Sequence, residues 1–202
     1  VDGVEVPAPV QLSVSQLTAW HADSQEFART LRRPVPGPAA PHTRRGTAFH
    51  AWVESRFNST ALFSLDELPG AADGDPDPDA DLVALQEAFE ASQWARMIPI
   101  ALEVPFTTVL EGVVVRGRMD AVFPAADGAF EVVDWKTGRP PRGEAARAAA
   151  VQLAAYRQAW AALRGVDPSK VYASFHYVRE NRTVRPADLP DLAQLAQPLR
   201  ET

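Results

Sequence analysis

The order of periodic segments predicts an α/β fold, a central mixed β-sheet flanked by α-helices. Apolar residues at helical spacing dominate the first half of the 202-residue chain. Three short segments rich in β-branched and aromatic residues follow, over 101–106, 112–116 and 129–133. An alanine-rich helix then separates these from a fourth such segment at 171–178, an order that suits a sheet with helices packed on its faces.

Taken in order, the chain opens on a proline-containing lead-in without a starting Met. Residues 1–11 are therefore expected to be a linker from a preceding domain, and 12–202 the folded domain. A first helix opens near Leu12, where Ser13 or Ser15 supplies the cap and Leu17, Trp20 and Phe27 recur at helical spacing; it should stop before Pro34. Residues 34–41 read as a rigid, extended proline connector. A second helix is expected over about 43–57, with Phe49, Val53 and Phe57 as an inward stripe and His50 on its flank. Residues 69–81 are acidic and have no apolar anchor, which predicts a solvated, flexible loop. They fail as an EF-hand, because the glycine and closing glutamate positions hold Ala80 and Gln86. A third helix should run over 82–94 with Leu82, Leu85, Phe89 and Trp94 inward, followed by a strand over 101–106 that Pro105 places at an edge or near a strand end.

The segments at 112–116 and 129–133 flank the turn-forming Ala126-Asp127-Gly128, which predicts a hairpin. Antiparallel pairing about that turn brings Asp120 near Asp134, and period-two alternation puts Asp134 and Lys136 on one face. Two acids and an ammonium converging at a strand end fit a divalent cation, the anion it binds and a group that positions a water. Arg116 and Arg118 share a face and suit either a phosphate or ion pairs with Glu111 and Glu131. The loop 139–143 adds positive charge beside the proposed metal. In the alanine-rich helix over 144–163, Gln152 and Tyr156 stack at i, i+4. The strand over 171–178 carries His176, expected to be structural, and a short helix around 189–199 closes the chain.

Composition narrows the function classes. The chain has no cysteine, so a disulfide framework, a thiolate zinc site and an iron–sulfur cluster are excluded. No apolar run is long enough to span a membrane and no leader pattern is present, so a cytoplasmic location is the expectation. A net charge of −6 argues against holding nucleic acid by bulk electrostatics; such a partner requires local basic patches, a metal or a tethered helper. A Walker A motif is also missing, so any ATPase lies outside these residues.

Asp120, a turn, then Asp134-x-Lys136 at the end of an apolar strand resembles the PD-(D/E)xK nuclease core, with its restriction-endonuclease-like sheet. The fuller wording, GRMDAVF then VVDWKTG, with RGTAFH before it and Gln152-x-x-x-Tyr156 after, looks like the RecB/Cas4-like branch. The resemblance implies that His50, Asp120, Asp134 and the backbone carbonyl of Trp135 hold Mg²⁺ or Mn²⁺. It further implies that Lys136 orients the attacking water, that Glu103 is an acid near the site, and that Gln152 and Tyr156 order the site and the phosphate. Arg118 is the candidate for substrate phosphate. The opening helix, where this branch often carries a cluster-binding cysteine, has Trp20-His21-Ala22-Asp23-Ser24 instead, so a cluster-free member is expected. The implied substrate is DNA, as single-stranded ends, and the implied partner is a helicase motor in end resection and recombinational repair. The rival expectation is a catalytically silent module that keeps the fold as a DNA-binding or scaffold part of a helicase complex.

Overall fold

The computed structural model describes residues 10–32, 41–61, 80–191 and 193–195. The lead-in up to Pro9, the proline connector up to residue 40, the acidic loop up to residue 79, and residues 192 and 196–199 of the final helix expected over 189–199 lie outside the described residues; of the others, 193–195 are helical and 189–191 are not. The elements are β1 (Gln11–Ser13), α1 (Val14–Ala22), α2 (Ser24–Arg32), α3 (Pro41–Ala61), α4 (Ala80–Glu90), β2 (Ala101–Leu110), β3 (Val113–Pro124), β4 (Phe130–Lys136), α5 (Glu144–Arg164), β5 (Val171–Tyr177) and β6 (Arg182–Val184).

Six strands form one mixed sheet in the order β1-β3-β4-β5-β6, with β2 along the opposite edge of β3. β1 runs parallel to β3 and β4 parallel to β5, while β2 with β3, β3 with β4 and β5 with β6 are antiparallel. The β2–β3 hairpin closes through Glu111 and Gly112, both at positive φ (47° and 82°), the geometry whose twist matches flanking strands. The β3–β4 turn likewise places Asp127 and Gly128 at φ 55° and 69°. Pro105 sits on β2, whose outer side is unpaired among the described residues, where a missing N–H costs no ladder bond.

The long first helix expected up to Pro34 is in fact two. Ser13 caps α1 through a reciprocal box: its Oγ accepts from Gln16 N at 3.1 Å and its N donates to Gln16 Oε1 at 2.8 Å. Asp23 then leaves helical geometry, and its carboxylate accepts from Glu26 N at 2.9 Å to start α2. Another difference is that the third helix ends at Glu90; Trp94 is buried from a separate short turn, Trp94–Arg96. Strands β1 and β6 were not expected.

Two cores sandwich the sheet. One gathers Leu17 and Trp20 of α1, Leu153, Tyr156 and Trp160 of α5, and Val115, Val132 and Phe175 of the strands. The other is aromatic, with Phe49, Val53 and Phe57 of α3 and Leu85 and Phe89 of α4 against Phe123, Val133 and Trp135. Val132 and Val133 point into different cores, as strand alternation requires. In this second core His176 is buried, edge-on to Trp94 and Trp135 and 3.1 Å from Thr183 Oγ1 through Nδ1; burial pushes its pKa down to about 4. It is structural, as its lack of a motif predicted.

Candidate active site

Along one edge, β3 changes partner. Residues 114–116 pair with β1 and 121–124 with β4, so 117–120 face neither. Gly117 opens this interval for a steric reason: a Cβ there would lie 2.6 and 2.7 Å from ring atoms of Phe106 and 2.7 Å from Val14 Cγ2. A cleft of about 500 Å³ opens at the interval, and every residue singled out from the sequence except Glu103 lines it. Ligand sites at such a change of strand partner are a general feature of open α/β sheets.

The hairpin delivers Asp120 and Asp134 side by side. Asp120 Oδ2 accepts from the Trp135 amide at 2.8 Å, so the first acid ties down the backbone of the second acid's neighbour. α3 presents His50 from the aromatic side, with Nδ1 3.5 Å from Asp120 Oδ2. Across β2, Glu103 takes φ 49° and drops out of the ladder between the pairs Leu102–Ala121 and Val104–Met119. A left-handed glutamate costs on the order of 1 kcal/mol or more, and here it turns a carboxylate toward Asp120. One ligand atom each from His50, Glu103 and Asp120 lies within 4.8 Å of the others. Arg118 Nε rests 3.1 Å from Glu103 Oε2, an acid other than the Glu111 and Glu131 expected as ion-pair partners, and Glu131 is instead held by Arg185.

Asp134 belongs to a second group fed by α5. Lys136 Nζ is 2.7 Å from its Oδ2, Gln152 Nε2 donates to its Oδ1 at 2.7 Å, and the Tyr156 hydroxyl lies 3.3 Å from the same oxygen. Gln152 also donates to Tyr156 Oη at 2.7 Å and accepts from Lys136 Nζ at 3.1 Å, so the i, i+4 pair on α5 locks both the acid and the ammonium. The Lys136 ammonium further lies 5.0 Å from the centroid of the Phe175 ring. Phe175 carries no signal in the sequence, because its place follows from the parallel β4–β5 register.

Crowding of acids shows in their protonation. Burial first, then the Asp120 charge, pushes Asp134 up to about 6 against the pull of Lys136. Glu103 is raised by burial and by Asp120, with Arg118 and His50 opposing. Burial opposes a charged His50, yet Asp120, Asp134 and Glu103 outweigh it and raise the imidazole pKa. Two carboxylate oxygens and one imidazole nitrogen, in a cluster short of positive charge, are a donor set that fits Mg²⁺ or Mn²⁺.

A family model of the PD-(D/E)XK nuclease superfamily matches residues 11–202. The chain belongs to that superfamily. The fold of this superfamily member is similar to that of a protein assigned as an exonuclease from Eubacterium rectale, at 12% identity and a TM-score of 0.56 over 98% of this chain and 83% of that one. The structure of SSO0001 aligns over 98% of this chain and 77% of its own at 15% identity and a TM-score of 0.47. Comparison with curated proteins gives no match.

Proposed function

We propose that this PD-(D/E)XK domain is a metal-dependent deoxyribonuclease. Asp120 and Asp134-x-Lys136 supply the acids and the lysine of the superfamily's name, with Met119 where its proline stands. The observation that carries the reading is the meeting, at the β3 partner change, of a His50–Glu103–Asp120 cluster with an Asp134–Lys136 pair held by α5. His50, Glu103 and Asp120 would hold Mg²⁺ or Mn²⁺, with Asp134 and the Trp135 carbonyl as further ligands. Such an ion polarises a phosphoryl oxygen and lowers the pKa of a bound water.

The protein's own groups do the rest. Lys136, held by Asp134, Gln152 and the Phe175 ring, positions the attacking water and offsets charge developing on the phosphate. Gln152 and Tyr156 keep Asp134 from turning away. Arg118, two-thirds exposed at the cleft rim, exchanges Glu103 for a phosphate oxygen of the substrate. The chain's net charge of −6 supports delivery of the strand by a motor, and the RecB/Cas4-like wording of the motifs supports a helicase partner acting on single-stranded ends in cytoplasmic DNA repair.

The test is incubation of the domain with end-labelled single- and double-stranded DNA in Mg²⁺, Mn²⁺ or EDTA, beside Asp134→Ala and Lys136→Ala. Metal-dependent cleavage lost in both variants supports the assignment. A chain that neither cuts nor binds Mn²⁺ overturns it.

A further inference from the structure

A second concavity, of about 750 Å³, lies one strand over from the cleft, at the C-terminal ends of β4 and β5. The two are structurally joined. Lys136 in the cleft is in register with Tyr177 in the groove, and the Phe175 ring beneath the Lys136 ammonium lines the groove. On α5, Ala149 faces the groove and Gln152, three residues on, faces the cleft.

The groove walls combine proline surfaces, Pro140 with Pro141 and Pro186 with Pro190, and two arginines, Arg147 and Arg182; Asp188 is the single carboxylate among its lining residues. Some arginines elsewhere pair with acids, as in Arg29–Glu26, Arg56–Glu90, Arg118–Glu103 and Arg185–Glu131, while Arg96 and Arg164 are exposed without such a pair, each on a separate element. Arg147 and Arg182 are exposed and have no carboxylate partner among the described residues, and the same holds for Arg139 and Arg142 on the adjoining loop. Four exposed arginines gathered at one groove and its adjoining loop, in a chain of net charge −6, mark a surface suited to a polyanion. The half-buried prolines offer apolar walls to unstacked bases, which a duplex hides.

We propose that this groove holds the single DNA strand adjoining the phosphodiester in the cleft. Its phosphates run along Arg139, Arg142, Arg147 and Arg182, and its bases lie against the proline walls. The inference rests on the nuclease reading for the chemistry next door, but binding in the groove is measurable without it.

The measurement is fluorescence anisotropy of a labelled oligothymidylate with the chain in EDTA, across a salt series. Arg147→Glu/Arg182→Glu is compared with a control pair on other faces, Arg96→Glu/Lys170→Glu. Reversal in the groove is expected to weaken binding by about tenfold or more and to flatten the salt dependence by about 1–2 phosphate equivalents, with melting temperature and Mn²⁺ affinity as in wild type. The neutral pair Arg147→Gln/Arg182→Gln should show the same trend at smaller size, which guards against a folding defect in the reversed pair. Equal losses in groove and control pairs, or wild-type affinity and slope in the groove variants, overturn the proposal. A chain that binds the oligonucleotide through the groove yet neither cleaves it nor binds Mn²⁺ sinks the nuclease reading and leaves the groove standing. Cleavage untouched by groove reversal does the opposite.

Discussion

Gly117→Ala tests whether the glycine before Asp120 serves packing or chemistry. The added methyl would meet Phe106 ring atoms at 2.6 and 2.7 Å and Val14 Cγ2 at 2.7 Å, well inside van der Waals contact. The ring has little room to yield, because it stacks edge-on against Tyr156 with centroids 5.7 Å apart. Overpacking of this kind costs about 1–3 kcal/mol, against which the stiffer unfolded chain returns about 0.4–1 kcal/mol. A net loss of about 1–2 kcal/mol lowers the melting temperature by roughly 3–6 °C in a chain of this size. Urea and thermal unfolding followed by circular dichroism read it directly. Trimming the ring in Gly117→Ala/Phe106→Leu should recover more than the sum of the single changes allows, a coupling of about 1 kcal/mol. A single variant that melts within a degree of wild type, or a double variant showing no coupling, refutes the steric argument.

Glu103→Gln should weaken Mn²⁺ binding by about tenfold or more in calorimetry, since it removes a carboxylate from the three-residue cluster; unchanged affinity removes Glu103 from the ligand set. Arg118→Ala should tighten Mn²⁺ several-fold, because the guanidinium competes for Glu103, while weakening oligonucleotide binding; weaker metal binding contradicts this. Acid stability should follow His176, whose pKa of about 4 in the fold is depressed by burial below the ordinary 6.5. Between those values the unfolded chain binds a proton the fold does not, so stability is full above 6.5 and falls as the pH drops toward 4, by at most about 3 kcal/mol. His176→Asn should flatten that part of the melting-temperature profile, and a profile unchanged by the substitution assigns the acid sensitivity elsewhere.

The hairpin was legible because both of its segments are rich in β-branched and aromatic residues and Asp127-Gly128 marks the turn, and antiparallel pairing about that turn sets Asp120 opposite Asp134. Helix α5 was legible through its alanines, and with it the stacking of Gln152 on Tyr156. Strands β1 and β6 were not, since three residues are too few to show a period, and their pairing is supplied by neighbours far along the chain. The approach of Glu103 to His50 and Asp120 depends on a left-handed backbone that a glutamate does not advertise. The joining of α1 and α2 at Asp23 was missed because an aspartate in a helical pattern reads equally as a solvent-facing residue or as a cap. The contacts of Phe175 and Tyr177 with the site region follow from a parallel crossover, which local sequence does not encode.

The kink at Glu103 has a colloidal side as well. β2 offers ten residues of outer edge, including an exposed Val109, and a straight edge of that length is a template for another chain. Pro105 removes a donor from that edge, and two residues earlier Glu103, at φ 49°, interrupts the extended backbone. The same backbone departure that turns a carboxylate toward Asp120 thus makes the strand a poorer landing strip for aggregation.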